Sequence, residues 1–288
     1  MVITMSAPGV AGLDGAGRML AAWQDDAGPV QLHPGDLGWF RRFGAERTAA
    51  AVRTWSRDGE VLAVGLLDGS DLLRVGIAPG ALHDAELARR MAEDVAVPER
   101  GVLPAGEVYV AAPAGALGPE LLARDGWAVD EPWTPLRRDL REPVPDPGVH
   151  IEVVGPAQAA ERAAVQRAAF GKSTFTEDRW HLVAAAPPYA DARCLLARND
   201  RGEAVAAVTV WSAGEGRPGM IEPMGVHADH RGHGYGRAIT VAAARALREL
   251  GSSSVVVDTL ASHTAAVATY RSAGLRQLPD MVDLRRSA

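Results

Sequence analysis

IEPMGVHADHRGHGYGRAITVAAARALRELG, residues 221–251, changes character twice along its length. The apolar run Ile221 to Val226 reads as a buried strand. A polar loop follows from His227 to Gly236, with glycines at 232, 234 and 236. Beyond it Ile239, Val241, Ala242, Leu247 and Leu250 recur as the apolar stripe of a helix. A strand, a glycine loop and a helix start together make an anion site. Glycines let successive backbone N–H groups turn inward as a nest for phosphate oxygens. The helix adds its unpaired N–H groups and the positive end of its dipole, and Arg231 stands at the loop mouth as a fixed positive charge. The expected ligand is a diphosphate held mainly by backbone.

Two familiar diphosphate signatures fail here. The dinucleotide fingerprint G-x-G-x-x-G needs a third glycine three positions after Gly234, where the chain has Arg237. Gly171-Lys172-Ser173 imitates the end of a nucleoside-triphosphate loop, but the glycine required at its start is Gln166. Arg231-Gly232-His233-Gly234-Tyr235-Gly236 instead resembles motif A of the GNAT family (Gcn5-related N-acetyltransferases), [Q/R]-x-x-G-x-[G/A], with Val226 at the strand end. That resemblance implies that Arg231, Gly232, His233, Gly234, Tyr235 and Gly236 hold the pyrophosphate of acetyl-CoA, the acyl donor. It also implies that the Val226 N–H, freed where the strands splay, polarises the thioester oxygen. Gly225 fits a local irregularity in that strand.

The family resemblance extends to the C-terminus. His263 to Tyr270, followed by Gly274-Leu275, is similar to the family's pattern N-x-x-A-x-x-x-Y ending in Gly-Phe, with His263 in place of Asn. It implies that Tyr270 is the acid that protonates the leaving thiolate; packing under the strands is the alternative. Glu222, four residues before Val226, shares a face with Met224 and Val226 if the strand alternates. The resemblance makes it the candidate base, and a structural edge carboxylate is the competing reading. His227 is the runner-up base, because imidazole is the side chain whose unperturbed titration lies nearest neutrality. His227, His230 and His233 recur at spacing three, but their loop is already committed to diphosphate, so no metal is expected. Phe170 to Phe175 lies where GNAT folds line the acceptor pocket, so Lys172 or Arg179 could meet an acidic group on the substrate, or simply be solvated.

The 288 residues are about two domains' worth, 47% hydrophobic and 23% charged, an ordinary globular composition. A net charge of −6 gives no basic footprint for nucleic acid. The single cysteine, Cys194, excludes an internal disulfide and reads as core. No run of about 18 apolar residues suggests a membrane span, and no signal peptide is read at the start, so a cytoplasmic protein is expected.

Ahead of the organising stretch, Leu37 to Val52 reads as one helix, whose Trp39, Phe40 and Phe43 face a core or, alternatively, a pocket. Arg57-Asp58-Gly59 is a hairpin turn, and Trp127 to Leu140 reads as a strand pair. Pro143 to Gly148 reads as a linker. The two halves then align: Gly126 with Gly274, Leu136-Arg137-Arg138 with Leu284-Arg285-Arg286, Gly59-Glu60 with Gly202-Glu203. The expectation is a mixed-sheet α/β protein of two GNAT-like acyl-CoA N-acyltransferase domains in tandem, 1–142 and 149–288. The first is degenerate: Ala78-Pro79-Gly80-Ala81 replaces the glycine loop, and Leu122 stands where the second copy has Tyr270. It would be a structural partner or one wall of the acceptor site. The function implied is acetyl transfer to a primary amine of a small molecule by direct attack; the alternative is an acyl-CoA-binding regulatory or interaction protein without turnover.

Overall fold

A computed structural model describes residues 2–287. In chain order, β1 (Thr4–Ser6), α1 (Gly9–Trp23), α2 (Pro34–Phe40) and α3 (Ala45–Ala51) precede a strand run. The single helix expected over 37–52 is broken: Arg41–Phe43 tighten into a 3-10 turn, and Gly44 takes φ 90°, a conformation that only glycine adopts cheaply. β2 (Val52–Arg57) and β3 (Glu60–Leu67) form a hairpin whose turn residues Asp58 and Gly59 both have positive φ, as the Asp-Gly signal requires. β4 (Leu72–Ile77), α4 (Ala85–Ala96), β5 (Val108–Ala111), α5 (Leu117–Arg124) and β6 (Ala128–Asp139) complete the first half. The strand pair expected over 127–140 is one long strand, β6.

The second half runs β7 (His150–Val153), α6 (Ala159–Ala169), α7 (Glu177–Ala184), β8 (Ala192–Arg198), β9 (Ala204–Ser212) and β10 (Gly219–Val226). It continues with α8 (Tyr235–Glu249), β11 (Ser254–Leu260), α9 (Thr264–Ser272), β12 (Arg276–Gln277) and β13 (Met281–Arg286). No helix among the described residues is long and apolar enough to cross a membrane.

These elements form two compact units, and neither is a contiguous half of the chain. Among the described residues the first comprises 2–33, 45–133 and 280–287; the second comprises 34–44 and 134–279. The division read from sequence, 1–142 and 149–288, follows the linker, whereas the units take segments from both sides of it. In the first unit the strand order is β1-β2-β3-β4-β5-β13, with the first half of β6 pairing β13 from Ala128 to Trp133. Its core gathers Trp55, Leu73, Leu87, Val110, Trp127 and Leu284.

In the second unit the order is β6 (second half)-β11-β10-β9-β8-β7, with β12 against β6 at Leu136 and Arg137. β9 is buried along nearly its whole length, as expected of a central strand covered on both faces. α8 supplies Ala238, Ile239, Val241, Ala242, Ala243 and Leu247 to the core, with Leu136, Val208, Val257 and Tyr270. Its many alanines let it lie close to the strands while burying most of its circumference. The equivalent leucines of the repeat thus sit in opposite cores: Leu136 in the second, Leu284 in the first.

Candidate functional site

β10 positions the site, and it does so through an irregularity. Ile221 faces Val210 of β9, yet Met224 faces Val208, so β10 carries one extra residue at Glu222-Pro223. This is a β-bulge, and it resets the side-chain alternation. Ile221, Met224 and Val226 therefore share the α8 face, and the strict alternation that grouped Glu222 with Met224 and Val226 does not hold. Trp211 Nε1–H donates to the Glu222 carbonyl at 2.7 Å, tying the bulge to β9. The irregularity lies at 222–223 rather than at Gly225. Gly225 has a different reason: a Cβ there would lie 2.6 Å from the Ala169 Cβ and 2.9 Å from the Phe170 ring. Only glycine lets the end of α6 approach this strand.

Beyond the bulge the parallel strands part. β10 pairs with β11 only at Gly219 and Met220, although β11 continues to Leu260. On the other edge His227 N–H donates to the Val205 carbonyl at 2.8 Å. Antiparallel ladders alternate bonded and non-bonded pairs, so the Val226–Ala206 pair is a non-bonded one. The Val226 N–H accordingly points away from β9, into the wedge between β10 and β11.

The loop after Val226 begins with a 3-10 turn, Ala228–His230, and leads to α8. Gly232 and Gly234 have φ of 81° and 84°, and their Cβ positions are open space. Gly234 is the N-cap residue of α8, with no side chain capping the helix and no acidic residue in its first turn. The first N–H groups of α8 therefore meet no side-chain acceptor of their own, which suits an anion. Gly236 serves packing: a Cβ would sit 2.8 Å from Thr269 Cγ2, so it keeps α8 close to α9. Arg231, Gly232, His233 and Gly234 are exposed, and Tyr235 and Gly236 half-buried. The Arg231 guanidinium donates to the Ala169 carbonyl at 2.7 Å, bracing the loop against the end of α6. His233 Nδ1 lies 2.8 Å from the Arg231 carbonyl. His227 Nδ1 accepts from the Asp229 N–H at 3.3 Å, which occupies its basic nitrogen and weakens its case as the base.

Tyr270, on α9, is 6% exposed and packed into the core of the second unit. Burial holds its phenol well above the ordinary tyrosine value, and the negative charges of Glu222 on β10 and Asp258 on β11 push it further. The phenol thus lies within electrostatic reach of both parting strands and keeps its proton. The sequence offered no signal for Asp258.

A cavity of about 370 Å³ opens on the Glu222 side. Glu222 and Pro223 line it together with Phe170, Lys172, Ser173, Thr174, Phe175 and Arg179 from the α6–α7 segment, Gln166 of α6, and Trp39, Arg42 and Phe43 from residues 34–44. Trp39 stacks on Phe175, with ring centroids 5.1 Å apart. The pocket reading of Trp39 and Phe43 therefore applies beside the packing one. The arginine pair flanked by aromatics in Trp39-Phe40-Arg41-Arg42-Phe43 was the available signal. Among the described residues no cluster of three or more His, Cys, Asp or Glu could hold a metal ion.

The first unit treats the corresponding places differently. Where the second has its glycine loop, Asp84 caps α4 by accepting from the Leu87 N–H at 2.9 Å. Arg57 grips the same carboxylate at 2.7 and 2.9 Å and holds it well below the usual range, at about 2. The helix end that could take an anion already has one of the protein's own. The apolar pocket between these strands and helices, lined by Leu73, Val75, Leu87 and Leu122, has a volume of only about 30 Å³.

Residues 160–275, which carry Glu222, the α8 loop and Tyr270, match the model of the acetyltransferase (GNAT) family and form a domain of that family. No curated protein sequence matches the chain. In structure the chain is similar to a GCN5-related N-acetyltransferase from Sphaerobacter thermophilus (TM-score 0.58, 22% identity, 99% of this chain and 95% of that one). It is also similar to a GNAT-family acetyltransferase from Colwellia psychrerythraea (TM-score 0.63, 12% identity, 100% of both chains). A third likeness is to a tandem GNAT protein from the clavulanic acid biosynthesis pathway (TM-score 0.59, 16% identity, 99% of this chain and 97% of that one). The GNAT fold therefore extends over the full chain, as two GNAT-like halves in tandem.

Proposed function

We propose that the second unit transfers the acetyl group of acetyl-CoA to a primary amine of a small molecule. One observation carries the reading: an uncapped, glycine-looped helix start adjoins a wedge between parallel strands, with a carboxylate and a proton-retaining phenol in electrostatic contact beside it. The residues fit the donor. Gly232 to Gly236 and the α8 N-terminus would hold its diphosphate through backbone N–H groups, with Arg231 adding charge. The Val226 N–H, aimed into the wedge, would polarise the thioester carbonyl. Acetyl-CoA supplies the activated acyl group; the protein supplies position and proton transfer. Glu222, directly or through water, takes the proton of the attacking amine as its nitrogen bonds to the acetyl carbon. The carbon–sulfur bond breaks, and Tyr270 gives its proton to the departing sulfur.

Calorimetric titration with acetyl-CoA tests the first step. One site per chain is expected in the wild type, weakened at least about tenfold, or about 1.4 kcal/mol, by Arg231→Glu. Two sites would mean that the Asp84-capped unit also binds. Absence of binding would overturn the transferase reading. Binding without transfer across a broad amine panel would leave an acyl-CoA-binding module.

A further inference from the structure

We infer that the acceptor is an amine that also carries an anionic group, with a flat or apolar body between the two. This rests on the transferase reading above and names the substrate class of the same cavity. The cavity is polarised. Its one carboxylate among the lining residues is Glu222, at the Glu222-Pro223 wall, while Arg42, Lys172 and Arg179 supply three cations. Arg42 and Arg179 converge on one ring, their guanidinium carbons 4.3 and 5.4 Å from the Phe43 centroid. Arg179 donates to Thr174 Oγ1 at 2.8 Å and makes no ion pair among the described residues. Lys172, the only lysine of the chain, is exposed and equally lacks an acidic partner among them.

A second observation points the same way from beneath. Arg162 is 1% exposed, and its guanidinium carbon lies 4.5 Å from the Phe175 ring and 5.6 Å from the Trp39 ring, both of which line the cavity. Its hydrogen bonds go to Gln166, Thr209 and Cys194, with no carboxylate among the described residues. A buried cation without a counter-charge is costly, and its field passes through aromatic side chains of low polarity toward the cavity. An anion seated between Arg179 and Lys172 would offset it, while the stacked Trp39–Phe175 pair and Phe43 take the body of the molecule. The amine then reaches the only acidic wall, where the proposed base stands. The cavity volume suits a small molecule rather than a peptide segment.

Matched acceptor pairs test this: phenylalanine against phenylalaninamide, and glucosamine 6-phosphate against glucosamine, so that carboxylate and phosphate are read separately. Binding to the CoA-saturated protein is measured by calorimetry, and transfer by thiol release. At least one anionic member should bind tenfold or more tightly than its neutral partner. Arg179→Ala and, separately, the exposed Lys172→Ala should shrink that ratio by raising KM for the anionic member. Lys172 gives an independent readout: its amine-reactive labelling should slow when the anionic probe is bound. Equal binding within both pairs, no binding of either anionic probe, or variants that weaken both members alike would overturn the inference. Failure of acetyl-CoA to bind would instead overturn the transferase reading, and the acceptor-binding ratios are then read by calorimetry on the protein without CoA.

Discussion

At Tyr270 a single oxygen separates the packing role from the proposed chemistry. The ring fills the core of the second unit, so Tyr270→Phe should leave the melting temperature nearly unchanged. Loss of an acid–base group typically costs about 10²- to 10⁴-fold in rate, and a fall of that size in kcat is expected. Because burial and the charges of Glu222 and Asp258 raise the phenol's pKa, it stays protonated through neutral and moderately alkaline pH. The pH profile of kcat should therefore show no alkaline loss from this group below about pH 10, the ordinary tyrosine value. Asp84 gives the opposite sign in the first unit. Its pKa is lowered to about 2, first by hydrogen bonds from Arg57. The stability it contributes is complete above the unfolded carboxyl value near 3.9 and is lost as pH falls through about 2. Asp84→Ala should cost roughly 1 kcal/mol as a lost helix cap, and Asp84→Asn should flatten the stability slope between about pH 4 and 2, measured by denaturant titration. The motif placed Arg231 to Gly236 at the start of α8 because glycine spacing is a local property. Asp84 just ahead of the α4 pattern is a local cap signal, but its grip by Arg57, 27 positions away, is one that no local pattern announces.

Among the elements, β10 and α2 shape the cavity beside Glu222. The alternation that set the faces of β10 failed at Glu222-Pro223 because a bulge needs a partner strand, and the partner here is held through Trp211. Pro223 inside an apolar run was the visible warning, since proline is confined to edges and bulges. Trp211→Phe keeps the ring bulk but removes the bond to the Glu222 carbonyl. It should cost about 1 kcal/mol in stability and lower kcat/KM disproportionately if the bulge sets Glu222. α2 lies against the same tryptophan: a Cβ at Gly38 would overlap the Trp211 ring. Gly38→Ala should destabilise the second unit by roughly 1–3 kcal/mol through overpacking and displace Trp39 in the cavity wall. Thermal melts with acceptor binding separate the two effects. The helix pattern over 37–52 was legible, but its break at Gly44 was not, because a glycine within a helical pattern is often tolerated.

At the scale of the whole molecule, the repeat was legible and the exchange of segments was not. Leu136-Arg137-Arg138 and Leu284-Arg285-Arg286 look interchangeable in sequence, and nothing local says which core each joins. β13 pairs with β5 and the start of β6, so Leu284 belongs to the first core. Leu284→Ala should cost about 2–5 kcal/mol. Hydrogen exchange should report the loss at residues 108–111 and 128–133, while β9 and β10 keep their protection. Leu136→Ala should do the reverse.

The segment 34–44 carries a consequence for how the chain can be divided. Here the half with the self-capped helix also encodes Trp39, Arg42 and Phe43 of the other unit's cavity and residues 134–139 of its sheet. Discarding that half would remove those residues from the second unit. Fragments 1–142 and 149–288, made separately, should each be insoluble or unstructured, and only co-expression should restore acetyl-CoA binding. The first half of the chain is thereby built into the framework of the second unit.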